Sequence, residues 1–339
     1  MTGQLYYVKL ISHLPDIVED SMFKKLIIGS ALGLGLAAIG TGVVQAEWAP
    51  SGPIKLMIAF KAGGGVDTQA RMIAEAIEAS KGWKIIPEQV TGKGGANLAK
   101  ALKDQPGDGT AIGMAVTESF AYNMKAAKNA GYTAEDFTFL TTTAGFQMGI
   151  VAKTEKGWGT FSDVVAAAKG GQSIRFGAMS PKLADLAYLL GKQHGVEFNT
   201  VMVKGGKGVM NGLNAGDLDV GWGAGIQGKA VKAGDMVNLA SGLSTKLKLS
   251  PDAPTLAELG VDFNADGYFV FAAPAGLSDE ARSALSSAIV DAISDSSSKA
   301  NGFINKAFGG VVAIQGEELT NIIMQDGKNA EALLAVSAE

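Results

Sequence analysis

Ile54-Lys55-Leu56-Met57-Ile58-Ala59-Phe60 runs directly into Lys61-Ala62-Gly63-Gly64-Gly65-Val66-Asp67. Asp67 then opens a segment with apolar or small residues at Ala70, Ile73, Ala74 and Ile77. The first run is short and apolar, as a buried strand requires, and the last has helical spacing over 67–80. Three glycines between them let the backbone wrap tightly and expose N–H groups. Together with the dipole of the following helix, these make an anion site. Asp67 is placed to cap that helix. The turn fails as a dinucleotide fingerprint, because the position after Gly63-x-Gly65 that should hold Gly or Ala is Thr68. It also fails as a phosphate loop, since no Gly-Lys-Ser/Thr follows. A bare glycine turn is structural more often than functional, so its meaning depends on what surrounds it.

The alternation continues outward from this turn. Lys84–Glu88 and Ala111–Val116 read as strands, with a loop at Gly92–Gly95, a helix at Asn97–Leu102 and a turn at Pro106-Gly107-Asp108-Gly109 between them. Further strands are expected at Phe146–Ala152, Ile174–Phe176, Thr200–Val203, Leu218–Trp222, Val237–Ala240, Tyr268–Ala273 and Val311–Ile314. Helices are expected at Phe161–Lys169, Leu183–His194, Lys207–Asn214, Gln227–Lys232, Asp279–Ser294, Ser298–Phe308 and Glu317–Leu334. Strands alternating with helices predict an α/β fold with mainly parallel strands, and ligands beyond the strand carboxyl ends.

The 339 residues suggest about two domains. With 47% hydrophobic residues a sizeable core is affordable, and the net charge of −4 argues against nucleic acid as a partner. There is no cysteine, which excludes disulfides and thiolate chemistry, and His13 and His194 are the only histidines. No metal and no cofactor is expected.

Residues 22–46 read as a secretory signal peptide. Met22-Phe23-Lys24-Lys25 is the basic start, Leu26 to Val44 the apolar run, and Val44-Gln45-Ala46 the small-residue cleavage site. Residues 1–21, with His13, are expected to be an upstream extension. After cleavage no stable membrane insertion is expected, because no later segment is long and apolar enough.

Several stretches, in order, resemble one family. They begin with Trp48-x-Pro50, Pro53-Ile54-Lys55 and Phe60-x-x-Gly63-Gly64-x-x-Asp67-x-x-x-Arg71. Pro87-Glu88-Gln89, Gly92-Lys93-Gly94-Gly95-x-Asn97, Asp108-Gly109-Thr110 and Phe176-Gly177-Ala178 follow. Val203-Lys204-Gly205-Gly206, Gly216-Asp217-Leu218-Asp219-Val220, Ala253-Pro254-Thr255-Leu256 and Ala272-Ala273-Pro274-Ala275-Gly276 complete the set. Each is weak alone, but the ordered set resembles the tripartite tricarboxylate transporter receptors, the Bug- or TctC-type periplasmic binding proteins.

That resemblance implies a type II periplasmic binding protein fold: two α/β lobes with a ligand cleft between them. The first lobe would comprise 47–147 and 269–339, the second 148–268. It implies a receptor that hands a di- or tricarboxylate or an aromatic acid to the membrane subunits of a transporter and works as a monomer. Carried over by position, the first-lobe contacts would be Phe60, Gly64, Gly65, Val66 and Asp67, joined by Thr117, Glu118 and Ser119. Those of the second lobe would be Gly177, Ala178, Met179, Ser180, Val203, Lys204, Gly205, Trp222, Gly223 and Ala224. The chain departs from the family pattern at Ala62, Met179-Ser180-Pro181, Met202-Val203 and Trp222-Gly223-Ala224. These departures make the second lobe's side less polar, and a ligand with more apolar surface than citrate is expected.

Individual side chains have plainer readings. Arg71 is one turn past Asp67, the spacing of an intrahelical ion pair. Glu118 could read an amine or a hydroxyl, or cap a helix. Trp222 could be core or cleft wall, and Lys204 either a ligand contact or a solvated lysine. A sensor presenting the same ligand to a membrane signalling protein would use the same cleft. An exported hydrolase or isomerase built on Asp67, Glu118 or His194 lacks a recognisable nucleophile motif.

Overall fold

In the computed structural model, residues 48–127 and 129–338 are described. The signal peptide and the upstream extension lie outside them.

The opening stretch forms strand β1 (Ile54–Ile58) and helix α1 (Gly65–Lys81). Side chains alternate across a strand. Ile54, Leu56 and Ile58 therefore pack toward Ala70, Ile73 and Ile77 of α1. Met57, with Ala59 just past the strand, faces Leu98, Ala99 and Leu102 of helix α2 (Ala96–Lys103) on the other side. A strand buried on both faces belongs in the middle of a sheet. β1 does lie between β2 (Ile85–Gln89) and β3 (Ala111–Val116), parallel to both. Helix α1 ends at Gly82, whose φ of 70° is the left-handed cap that glycine adopts without strain.

The first sheet has the order β2-β1-β3-β10-β4, with β4 at Phe137–Gly145 and β10 at Tyr268–Pro274. β10 is antiparallel to both β3 and β4. The second sheet has the order β7-β6-β8-β5-β9. Its strands are β5 (Gly149–Lys153), β6 (Arg175–Ala178), β7 (Asn199–Met202), β8 (Val220–Gly223) and β9 (Met236–Ser241). β6 is parallel to β7 and β8, whereas β5 is antiparallel to β8 and β9. The expectation of mainly parallel strands is corrected: each sheet is mixed, because the strands that arrive by crossing between the sheets, β5 and β10, enter against their neighbours.

The chain passes from the first sheet to the second between β4 and β5, and returns through the segment that leads into β10. These crossings touch each other. The Phe146 N–H donates to the Gly267 carbonyl at 2.9 Å, and Gly242 N–H donates to the Met148 carbonyl at 2.8 Å. A Cβ on Gly267 would stand 2.5 Å from the Phe146 ring, so glycine is what allows the two segments to run side by side.

The first sheet is covered by α1, by α2 and by C-terminal helices α9 (Asp279–Ser294), α10 (Lys299–Phe308) and α11 (Gly316–Ser337). Short helices α3 (Thr117–Phe120) and α4 (Tyr122–Ala126) follow β3. The second sheet carries α5 (Phe161–Lys169), α6 (Pro181–His194), α7 (Gly205–Ala215) and α8 (Gly228–Ala233). The start of α5 is set by a capping box between Thr160 and Asp163. No helix among the described residues is long and apolar enough to cross a membrane.

Two elements differ from expectation. β4 is nine residues long and was not anticipated. Val311–Ile314, expected as a strand, runs extended beside β4 without forming a regular ladder. Ile314 N–H donates to the Thr142 hydroxyl at 2.8 Å, and Thr142 N–H to the Ile314 carbonyl at 3.0 Å.

Asp219, in the Gly-x-x-Asp-Val turn before β8, ties the second sheet together. Its carboxylate accepts from the Arg175 backbone N–H and Nε, each at 2.9 Å, and from Lys156 Nζ at 2.6 Å. Burial alone would raise this carboxyl, but the bonds from Arg175 and Lys156 outweigh it and hold the group well below the usual carboxylate range. A depressed folded-state pKa gives stability that is fully present above the unfolded value, near 4, and is lost as pH falls below it. Asp219→Asn is expected to lower stability at neutral pH by about 2–3 kcal/mol. It should also flatten the acid limb of a melting-temperature profile. An unchanged acid limb would contradict this assignment.

Candidate functional site

Two helix N-termini meet between the lobes. In α1 the first intrahelical bond runs from Thr68 N–H to the Gly64 carbonyl at 2.9 Å, so the N–H groups of Gly65, Val66 and Asp67 precede it and have no helical acceptor. Opposite stands α7, whose first turn Gly205-Gly206-Lys207 follows the N-cap Lys204. Gly205 has φ 71°, a conformation open to glycine at little cost. The two ends are close: a Cβ on Gly205 would stand 3.4 Å from the Phe60 ring, and Lys207 Nζ donates to the Ala62 carbonyl at 3.3 Å. Each helix end carries roughly half a positive charge, so an anion between them is stabilised from both sides.

The space they enclose is a cavity of about 50 Å³. Its walls are mostly apolar, with Phe60, Phe146, Met179, Ile226, Phe269 and Phe308 prominent. Pockets that hold small molecules usually measure roughly 300–1,000 Å³. The lobes therefore stand close across this cavity. Tyr122 of the first lobe donates a hydrogen bond to Asp185 of the second. Lys61, Lys204 and Lys207 stand on the cavity wall, and Lys61 and Lys204 have no carboxylate partner among the described residues. Cations at the mouth of a cleft draw anions toward it.

Of the residues expected at the site, Phe60, Gly64, Gly65, Val66, Glu118, Met179, Ser180, Lys204, Gly205 and Ala224 line this cavity. The others are placed elsewhere. The Asp67 side chain is buried and occupied: it accepts from Gly63 N–H at 2.7 Å, from Arg71 Nε at 2.8 Å and from Gln89 Nε2. It holds the turn and offers the site only its backbone N–H, and the Arg71 pair is intrahelical as expected. The Thr117 hydroxyl accepts from Tyr268 N–H, and the Ser119 hydroxyl donates to the Gly94 carbonyl. Both are scaffold rather than contacts. Gly177 and Ala178 lie within β6, and a Cβ on Gly177 would meet Leu218 at 2.5 Å. Gly223 is filled in the same way by Gln227, 2.6 Å from its missing Cβ. Val203 faces the outer groove beside Met202 instead of the cavity.

Trp222 is core, not cleft wall. It is fully buried, packs on Phe176 at 5.6 Å between ring centroids, and donates its indole N–H to the Leu183 carbonyl at 2.8 Å. Leu183 does line the cavity, so Trp222 acts on the site through α6. The Ser180 hydroxyl caps α6 by accepting from Leu183 N–H at 3.3 Å, which leaves its O–H free to donate toward Glu118. Glu118 does not cap a helix; the N-cap position of α3 is Val116. Its carboxyl is raised by burial, partly opposed by nearby Lys182 and by hydrogen bonding with the Ser180 and Asn123 side chains.

Sequence reasoning missed Phe146, Met148, Ile226, Phe269 and Phe308. Phe269 and Phe308 come from the last third of the chain, and only the return crossing brings them under the glycine turn. Ile226 sits two residues past the expected Trp222-Gly223-Ala224 segment. The glycines around Phe308 are its signal: a Cβ on Gly225 would stand 2.5 Å from its ring, and one on Gly65 3.0 Å from it.

His194 ends α6 before the left-handed Gly195 cap, edge-on to Phe161 at 5.6 Å and far along the helix from the cavity. Asp67, Glu118 and His194 therefore do not assemble into one catalytic group. Among the described residues no three His, Cys, Asp or Glu side chains stand together as metal ligands.

The family described as "Tripartite tricarboxylate transporter family receptor" matches residues 69–335. The chain belongs to this family. A relative from Agrobacterium vitis, "UPF0065 protein in the TAR-I ttuE-ttuC' intergenic region", is 29% identical over 276 residues, covering 76% of this chain and 77% of that protein. Among solved structures, the periplasmic binding protein BugD superposes with a TM-score of 0.76 at 20% identity, over 86% of this chain and 99% of that one. R. palustris Rpa4515 with adipate superposes at 0.74 with 19% identity, over 85% and 98%. At such identities the likeness is one of fold: two α/β lobes of the type II periplasmic binding protein kind, with the cleft between the sheets. The family is one of binding proteins that serve a tripartite tricarboxylate transporter.

Proposed function

We propose that this receptor is exported by the leader at 22–46, captures a small organic carboxylate between its lobes, and presents the closed form to the membrane subunits of its transporter. The observation that carries this reading is the pair of facing helix starts, Gly65–Asp67 and Gly206–Lys207, with first-turn N–H groups that lack helical acceptors; the Gly205 N–H is already taken by the Val203 carbonyl at 3.2 Å. The carboxylate replaces water as their acceptor. Closure then places those bonds in a dry, low-dielectric space where they strengthen. The two crossings at 146–148 and 267–268 are the hinge, which makes 148 and 269 the lobe boundaries. The apolar walls favour an acid with a hydrocarbon or aromatic body over a citrate-like polyacid. The adipate bound by Rpa4515 is an acid of that kind.

Calorimetry of the chain beginning at Glu47 tests this against short dicarboxylates, longer alkyl diacids and aromatic acids. At least one acid with an apolar body is expected to bind more tightly than citrate by tenfold or more. Heat from citrate alone would refute the apolar preference, and no heat from any acid would refute the receptor reading.

A further inference from the structure

Glu118 stands at the wall between two cavities. It lines the apolar cavity just described and also a second chamber of about 280 Å³ behind it. That chamber lies between α4 and α11 on one side and the start of α6 on the other, and it takes in Lys182, Asp262, Asp266 and Asp326. With Glu118, four carboxyl groups face one ammonium.

These acids are not equally engaged. One Asp266 oxygen accepts from Ser244 N–H at 3.0 Å. Glu118 is only 7% exposed; Ser180 and Asn123 engage its carboxyl, but its Oε1 is buried with no hydrogen-bond partner. An unpartnered carboxyl oxygen in such a place is costly to the apo protein unless something completes it. Burial also pushes the carboxyl of Asp326 upward, with Lys182 opposing it and Asp266 adding to it. A group that is both a cation and a hydrogen-bond donor would satisfy the orphan oxygen and the surplus of acids at once. A carboxylate or a plain hydrocarbon end would do neither.

We propose that the chamber beyond Glu118 is an amine subsite, so that the solute captured here carries a protonated amine as well as its carboxylate and belongs to the amino-acid or amino-carboxylate class. The proposal rests on the carboxylate reading of the cleft. The carboxylate sits at the starts of α1 and α7, the body of the solute lies along Phe60, Met179 and Leu183, and the ammonium reaches Glu118 with Asp326 behind it. Lys182 sets a limit on size: it allows one ammonium among the acids and repels a second.

The test is calorimetry with two matched series: butyrate, valerate and hexanoate, and the same acids with a terminal amine, 4-aminobutyrate, 5-aminovalerate and 6-aminohexanoate. In the native sequence at least one amino acid is expected to bind tenfold or more tightly than its plain counterpart. Glu118→Gln should reduce that ratio to within about twofold, and Asp326→Asn should reduce it partially. Glu118→Gln should also melt higher than the native protein without ligand, since the buried acid is gone; this shows that the variant is folded. Plain acids that bind as well as or better than every amino acid would overturn the subsite and leave the carboxylate reading standing. So would a ratio unchanged in Glu118→Gln. No heat from either series would overturn both.

Discussion

Gly65→Val is expected to weaken carboxylate binding by at least a hundredfold, about 2.7 kcal/mol, with little change in the melting temperature of the unliganded protein. Gly65 does not have a positive φ, so its backbone suits any residue. The helix loses no more than a few tenths of a kcal/mol by carrying a β-branched residue in its first turn. The effect comes from space. A Cβ there would lie 3.0 Å from Cζ of Phe308 and 3.4 Å from Cγ2 of Ile226. The first is in the first lobe and the second in the other, so the two extra methyl groups of valine fall where the lobes meet. They fill the cavity, cover the N–H groups of the α1 turn, and hold the lobes apart. Gly65→Ala, with one atom in place of three, should cost several-fold rather than a hundredfold. Titration of both variants with the best acid of the panel measures the series. Native affinity in Gly65→Val would mean that the solute does not sit against this turn.

Trp222→Ala should act the other way, on stability far more than on recognition. The indole is fully buried against Phe176, and its N–H is satisfied by the Leu183 carbonyl. Truncation leaves a large cavity and removes the indole's bond to the Leu183 carbonyl, which keeps its helical donor, a loss of about 4 kcal/mol. For a chain of this size that corresponds to a drop in melting temperature of roughly 10 °C. Trp222→Phe should recover much of the packing but not the hydrogen bond. The affinity of the folded fraction should change only a few-fold, because the ring does not reach the cleft. A sharp loss of affinity at unchanged melting temperature would return Trp222 to the cleft wall.

The two tryptophan readings show why the sequence informs the two lobes unequally. The first strand, its glycine turn and α1 were legible because local signals agree: an apolar run, three glycines, then helical spacing. The turn's anion-binding geometry followed from the same residues, and the ordered family-like segments gave the two-lobe fold. β4 was not legible. Phe137-Thr138-Phe139-Leu140-Thr141-Thr142-Thr143 has strong strand formers, but its neighbour in the sheet is β10, more than a hundred residues away, and its pairing is non-local. Site residues fared according to what each segment owed to its neighbours. The glycine and backbone positions expected at the helix starts, Gly64, Gly65, Val66 and Gly205, line the cavity. The side chains of Asp67, Thr117 and Ser119 are occupied in the folded chain by partners from other segments, Gln89, Tyr268 and Gly94, and no local pattern shows such pairings. Phe269 and Phe308 could not be found, since only the chain's return to the first sheet brings them to the cleft.

The central claim is that a carboxylate is held by the facing starts of α1 and α7. The most direct measurement compares the best-binding acid of the panel with its own methyl ester, by calorimetry on the native protein at one pH. The ester keeps the hydrocarbon body and loses the negative charge that the two helix ends recognise. The account predicts that the acid binds at least a hundredfold more tightly than the ester. Equal affinity for the two would mean that the apolar walls alone capture the solute, and that the paired helix starts are only structural.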